Sequence, residues 1–142
     1  VYDAREPFEH EVEVRYGETD QMGVVYHANY LLYFEEGRTR LMSRLGLSYA
    51  EVERRGFALA VRKAALRYRS PARYGETLVV RTWVEKLGGA SVTFSYEIVR
   101  KADRERVAEG STELACINIR SPERAVCMLP AELRASLESP RL

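Results

Sequence analysis

The residues best suited to chemistry fall in one stretch: Tyr16-Gly-Glu-Thr-Asp20-Gln-Met-Gly23-Val-Val-Tyr26-His27-Ala-Asn29-Tyr30. Asp20 sits in a loop flanked by Gly17 and Gly23, which break the alternation before it. A helical period begins just after. The start of a helix offers N–H groups without intrahelical partners and the positive end of the helix dipole. A carboxylate beside such an end suits acyl transfer. It activates water or attacks directly, while the N–H groups hold the developing oxyanion. Each residue also has an ordinary reading. Asp20 could cap a turn, His27 could be a core or interface histidine, and Asn29 could bond the backbone of the turn.

The elements that must position this stretch follow from the hydrophobic periods. Residues 8–16 alternate, with Phe8, His10, Val12, Val14 and Tyr16 on one side and Glu9, Glu11, Glu13 and Arg15 on the other, which predicts a half-buried strand. Over 26–45 the period is helical, and Tyr30, Phe34, Gly37, Leu41 and Leu45 form one stripe. Leu31, Leu32 and Tyr33 widen the apolar surface, so other structure is expected to wrap that end. Gly46 stops the helix. Ser48 with Glu51 makes a capping-box pattern for a short helix that Gly56 ends.

Strands are predicted over 57–69, 77–86, 91–101 and 106–120, with turns at Ser70-Pro71, Gly75, Gly88-Gly89 and 102–105. Regular alternation sets Ala58, Ala60, Ala64 and Leu66 on one face of 57–68 and Leu59, Val61 and Ala65 on the other. A strand apolar on both faces is expected to be covered on both, here by a second chain. Pro130 begins a terminal helix, with Leu129, Leu133 and Leu137 on one face. Four consecutive strands joined by short turns predict an antiparallel sheet covered by the long helix, an α+β class and one domain over 1–142.

Composition excludes several classes. The 142 residues carry a net charge of +1, without the strong basic excess of a non-specific nucleic-acid binder. The longest apolar runs, 30–34 and 57–61, fall far short of the ~20 residues of a membrane helix. The N-terminal VYDAREPFEHEVE lacks a signal peptide's apolar core. Cys116 and Cys127 are too few for a disulfide scaffold and read as free thiols of a cytoplasmic protein. His10 and His27 form no zinc spacing, so no metal is expected.

The 16–30 stretch resembles the signature of the hotdog-fold acyl-CoA thioesterases of the 4-hydroxybenzoyl-CoA type. Within these it is most similar to the branch of the Tol-Pal-cluster acyl-CoA thioester hydrolase. The matching residues are Asp20, Gly23, Val24-Val25 and Tyr26-His27-Ala28-Asn29-Tyr30. Val61-Arg62-Lys63, Tyr68-Arg-Ser-Pro71-Ala72-Arg73 and Leu78 agree, and Glu109-Gly110 and Leu129-Pro130 agree more weakly. The resemblance implies a hotdog fold, in which a five-stranded antiparallel sheet wraps a long central helix. It also implies hydrolysis of acyl-CoA to a free acid and CoA, with no cofactor.

On the same resemblance Asp20 is the catalytic carboxylate, as general base or nucleophile. The backbone N–H of His27, shared with Tyr26, polarises the thioester carbonyl. The His27 side chain and Tyr16, which could orient Asp20, are further candidates. CoA phosphates suit arginine forks, and the candidates are Arg62, Lys63, Arg67, Arg69, Arg73, Arg120 and Arg124. The resemblance further implies a homodimer or homotetramer whose sites are built from two chains. Glu35 and Glu36 are rival carboxylates, expected instead to pair with Arg38 and Arg40 on a solvated helix face. Two other readings stay open: an enoyl-CoA hydratase-like enzyme using Asp20 with His27, and a non-catalytic acyl-CoA-binding module.

Overall fold

The computed structural model describes residues 4–138. In chain order the elements are β1 (Phe8–Glu13), a 3-10 turn (Tyr16–Glu18), α1 (Asn29–Arg44), α2 (Tyr49–Arg54), β2 (Phe57–Tyr68), β3 (Thr77–Leu87), β4 (Ser91–Arg100), β5 (Arg106–Asn118) and α3 (Ala131–Leu137). All strand pairs are antiparallel, in the order β1-β3-β4-β5-β2. The sheet is antiparallel as expected, but the connection after β2 is not the expected short turn: β2 does not lie beside β3; it crosses to the far edge and pairs with β5. Arg69–Glu76 therefore runs back across the end of the sheet. Arg69 and Ser70 donate to the Val107 carbonyl, and Gly75 donates to that of Val14.

The concave face of the sheet holds α1. Tyr30, Phe34, Gly37 and Leu41 of the expected stripe are buried. Two glycines permit the close packing. A Cβ on Gly37 would lie 2.5 Å from the Thr82 hydroxyl, and a Cβ on Gly110 would lie 2.2 Å from the Ala65 carbonyl oxygen and 2.9 Å from the Phe34 ring. Phe34 stacks on Tyr96 with ring centroids 4.2 Å apart. Each such side chain contributes roughly 1.5–3 kcal/mol by leaving water. Leu129, Leu133 and Leu137 of the terminal segment close one end of the core, as the sequence predicts.

Local chemistry explains most of the boundaries. Ser48 Oγ accepts from the Glu51 N–H at 3.3 Å, the first half of a capping box. The Glu51 carboxylate turns instead to Arg54 and Arg55. Gly46 and Gly56 end α1 and α2 at positive φ, and Gly75 turns the chain into β3 in the same way. β1 ends at Glu13, short of the expected Tyr16, because the chain enters the 3-10 turn; Tyr16 is 77% exposed rather than inward.

β2 departs from regular alternation. Its register with β5 slips between Val61 and Lys63, leaving Arg62 as an extra residue. Leu59 and Val61 oppose Cys116 and Leu114, while Ala64 and Leu66 oppose Thr112 and Gly110. Leu59, Val61, Ala64 and Leu66 thus share the concave face, where strict alternation separated them. The strand is largely exposed within the protomer, and Leu31 and Leu32 of α1 are also exposed rather than wrapped.

The charges near Glu35 and Glu36 follow the expectation only in part: Glu35 pairs with Arg38 along the helix. Glu36 pairs with His10 across to β1 at 2.6 Å, not with Arg40. Arg38 is buried instead of solvated. Its Nε donates to the Tyr49 hydroxyl at 3.0 Å, and Glu35 stands 3.7 Å from its Nη2.

Candidate active site

The loop between β1 and α1 is held by a small set of bonds. The Glu18 carbonyl accepts from the Tyr26 N–H at 2.9 Å and from Asn29 Nδ2 at 2.8 Å. The Glu18 carboxylate accepts from the Arg15 N–H at 2.8 Å and the Tyr33 hydroxyl at 2.9 Å. Burial and this acidic neighbour push the Tyr33 phenol upward. From the other side the β2–β3 crossover supports the loop: the Val25 N–H donates to the buried Ala72 carbonyl at 2.8 Å. Tyr68 at the end of β2 donates its hydroxyl to the His27 carbonyl at 3.0 Å.

Asp20 is half-buried on the wall of a cleft of about 730 Å³ lined by Tyr16, Gly17, Thr19, Asp20, Gln21, Tyr26 and Asn29. One carboxylate oxygen accepts from the Met22 N–H at 2.9 Å and more distantly from Val24 N–H at 3.5 Å. The turn-forming role that the sequence allowed is therefore present. It fixes one oxygen, and the Asp20 carbonyl closes the same turn onto the Gly23 N–H, whose positive φ suits glycine.

The start of α1 carries no side-chain cap. Asn29, the first residue of α1, donates its amide to the Glu18 carbonyl, the turn-bonding role that its residue type allowed. The positive end of the α1 dipole is thus left open. The Tyr26 N–H is already committed to Glu18, whereas the His27 N–H carries no backbone bond of this kind among the described residues. Of the two expected oxyanion donors, His27 is the one left available. The His27 imidazole packs against Tyr26 at 4.4 Å between centroids and edge-on to Tyr68. It does not line the Asp20 cleft. Tyr16 shares that cleft, but its ring packs edge-on against Tyr74 and makes no hydrogen bond to Asp20 among the described residues.

The expected CoA-binding cations separate into two groups. Lys63, Arg67, Arg69 and Arg73 lie on or just after β2, toward the end that contacts His27. Arg62 is tied to Glu113 at 2.6 Å and Arg69 to Glu109. Lys63 and Arg73 form no side-chain ion pair among the described residues. Arg120 and Arg124 follow β5 at the opposite end. Arg120 covers Gly56 and donates to the Arg54 carbonyl, so one protomer does not bring these two to the Asp20 cleft.

Glu18 and Tyr68 were missed by sequence reasoning. Glu18 stands two residues before Asp20 in the same motif, and that proximity was the available signal. Tyr68 opens the block Tyr68-Arg-Ser-Pro71-Ala72-Arg73 that carries the family resemblance, but its contact with His27 depends on the crossover and left no mark in the local pattern. No group of His, Cys, Asp and Glu suited to a metal ion occurs among the described residues. No helix there is long and apolar enough to cross a membrane.

The fold and the loop site define a class before any relative is considered: a hotdog protein with a carboxylate at the mouth of its central helix. Residues 14–137 match the model of the thioesterase-like superfamily. YneP of Bacillus subtilis, provisionally named an acyl-CoA thioesterase, is 43% identical over 108 residues, covering 76% of this chain and 78% of that protein. The acyl-CoA thioester hydrolase YbgC of Escherichia coli is 32% identical over 107 residues, covering 75% and 79%. The crystal structure of DHNA-CoA thioesterase from Staphylococcus aureus superposes with a TM-score of 0.82 at 38% identity, covering 87% of this chain and 80% of that one. The chain belongs to the thioesterase-like superfamily and is a thioester hydrolase.

Proposed function

We propose that the chain hydrolyses acyl-CoA thioesters to a free carboxylic acid and CoA, with Asp20 as the reacting carboxylate and the His27 N–H as oxyanion donor. One observation carries the reading. Asp20 is held by the Met22 N–H at the wall of a cleft beside an uncapped helix start. As a base, Asp20 takes a proton from water as the water oxygen bonds to the thioester carbon. As a nucleophile, a carboxylate oxygen forms that bond itself, and water then cleaves the resulting anhydride. In both routes charge gathers on the carbonyl oxygen, the N–H stabilises it, and the C–S bond breaks to release the CoA thiolate. An activated thioester needs only this positioning and electrostatics.

Lys63, Arg67 and Arg73 are the phosphate-binding candidates on this side without a side-chain ion pair among the described residues, and Arg120 and Arg124 would need a second chain to reach the same cleft. We infer that chains associate through the β2 edge. β2 and β1 are the two edges of the sheet. β1 is guarded by charges, with Glu9 and Glu11 paired to Arg81 and Lys101. β2 also carries the exposed Arg62, Lys63 and Arg67, but between them it exposes Ala60, Val61, Ala64 and Ala65, an apolar edge that invites pairing. A two-fold axis there would cover it and bring two sites together.

The test is thiol release from short, long and aromatic acyl-CoAs, run beside double-bond hydration of an enoyl-CoA. Thiol release is expected. Hydration without thiol release, or binding without turnover, would overturn the assignment. Light scattering on the dilute active enzyme tests the shared site, and a monomer mass at full specific activity would exclude it.

A further inference from the structure

The chain has two cysteines, and the fold sets them opposite each other. After β5 the chain turns back and makes a short antiparallel contact, with Ile117 bridged to Val126. The Cys127 N–H donates to the Cys116 carbonyl at 2.9 Å, and the Asn118 N–H donates to that of Ala125 at 2.9 Å. The two Sγ atoms lie 3.6 Å apart as free thiols. A disulfide bond length of about 2.05 Å is reached from there by a modest shift of two side chains on backbone already in register.

The two thiols differ in access. Cys116 is fully buried among core residues, whereas Cys127 is partly exposed. Burial pushes the Cys116 thiol upward, so Cys127 is the one positioned to react first. We propose that Cys116 and Cys127 are a redox modification site: a pair that low-molecular-weight disulfides oxidise to an intramolecular disulfide, clipping the segment before α3 onto β5.

The chemistry balances as two exchanges. The Cys127 thiolate attacks one sulfur of the small disulfide, forms a mixed disulfide and expels one small thiolate. Cys116 then loses its proton and attacks the Cys127 sulfur, expelling the second. The protein gives up two electrons and two protons, and the small disulfide becomes two thiols.

The clip acts on the end of the core that α3 closes. Leu129, two residues beyond Cys127, donates to the Gly89 carbonyl at 3.0 Å, and Leu133 and Leu137 are buried behind it. The candidate catalytic loop is elsewhere. Cys116 lies near the Leu59 register position, whereas Tyr68 contacts His27; that length of strand spans about 30 Å. Oxidation is therefore expected to raise stability and leave turnover unchanged.

The experiment incubates the folded full chain with glutathione disulfide, quenches free thiols with an alkylating reagent and measures intact mass. The expected result is loss of both thiols and of two hydrogens, no retained glutathione, and reversal by dithiothreitol. The oxidised protein should melt about 5 °C or more above the reduced one, as expected for a short closed loop. The Cys116→Ser variant should stop at a glutathione adduct on Cys127, and Cys127→Ser should leave Cys116 unreacted. Two thiols surviving in the folded protein, a wild-type product that stops at the glutathione adduct, or disulfides between chains would each overturn the proposal. So would a lower melting temperature after oxidation.

Discussion

Replacing Asp20 with Asn separates the charge of the carboxylate from its part in the loop. Oδ1 of Asp20 accepts from the Met22 and Val24 N–H groups, and an amide oxygen at the same place can accept both bonds. The loop should therefore keep its shape while the ability to take a proton or to attack is lost. General-base catalysis is worth roughly 10²–10⁴ in rate, or about 3–5 kcal/mol of barrier, and a nucleophilic role is worth more. In a thiol-release assay at saturating acyl-CoA, Asp20→Asn should lose at least a hundredfold, with little change in melting temperature or substrate binding. Asp20→Ala should lose as much rate and also about 1 kcal/mol of stability, because the Met22 N–H loses its acceptor. Turnover of Asp20→Asn within a few-fold of the parent would remove Asp20 from the mechanism. Single turnover in heavy-oxygen water then distinguishes the routes, since only a nucleophile passes one of its own oxygens to the product.

His27→Ala should be mild in kcat, because every residue but proline supplies the backbone donor, whereas His27→Pro should be severe; a large loss in a well-folded Ala variant would shift the role to the imidazole. Gly110→Ala should cost about 3 kcal/mol, the upper range for overpacking, because its Cβ would meet the Ala65 carbonyl oxygen at 2.2 Å. Gly17→Ala, with nothing within 4 Å, is the control, and equal melting temperatures for the two would refute the packing argument. Burial raises the Tyr30 and Tyr49 phenols from 10.0 to about 12. The unfolded chain therefore releases these protons first, so their contribution is whole below pH 10 and is lost as pH rises toward 12. Denaturant melts across that range should show stability falling, and a flat profile would contradict it.

The helices and strands were legible because their periods are strong and their ends are marked. Ser48 does cap α2, Gly46 and Gly56 do end their helices, and the Tyr30–Leu41 stripe is buried. The sheet order was not legible. Nothing in the local pattern of 57–68 says that its partner is β5 rather than β3, because pairing is decided by the crossover and by contacts distant in sequence. The bulge at Arg62 was hidden for the same reason, and one extra residue was enough to reverse which side chains share a face. Arg38 misled because its charge reads as solvent-facing although its spacing from Phe34 sets it on the buried face, and its phenol partners Tyr49 and Tyr96 come from α2 and β4. At the site, the Asp20 motif was visible from residue types and from family resemblance. The occupied Tyr26 N–H and the outward His27 imidazole depend on how the loop closes on Glu18, which spacing alone does not reveal.

The position of β2 also sets an order of assembly. β3, β4 and β5 follow one another through tight connections, with Leu87 paired to Val92 and Val99 to Arg106, so their contacts close short loops at small entropic cost. β2 precedes all three, yet it pairs only with the last, Phe57 against Asn118. It has no edge to dock on until β5 is in place, and such non-local pairing is the slow part of folding. The bonds from Tyr68 to the His27 carbonyl and from Val25 to Ala72 both depend on β2 and the chain that leaves it. The loop bearing Asp20 is thus completed late as the chain folds and is among the first parts released when that edge detaches, so under the role proposed for Asp20 hydrolysis would be lost while the rest of the sheet still stands.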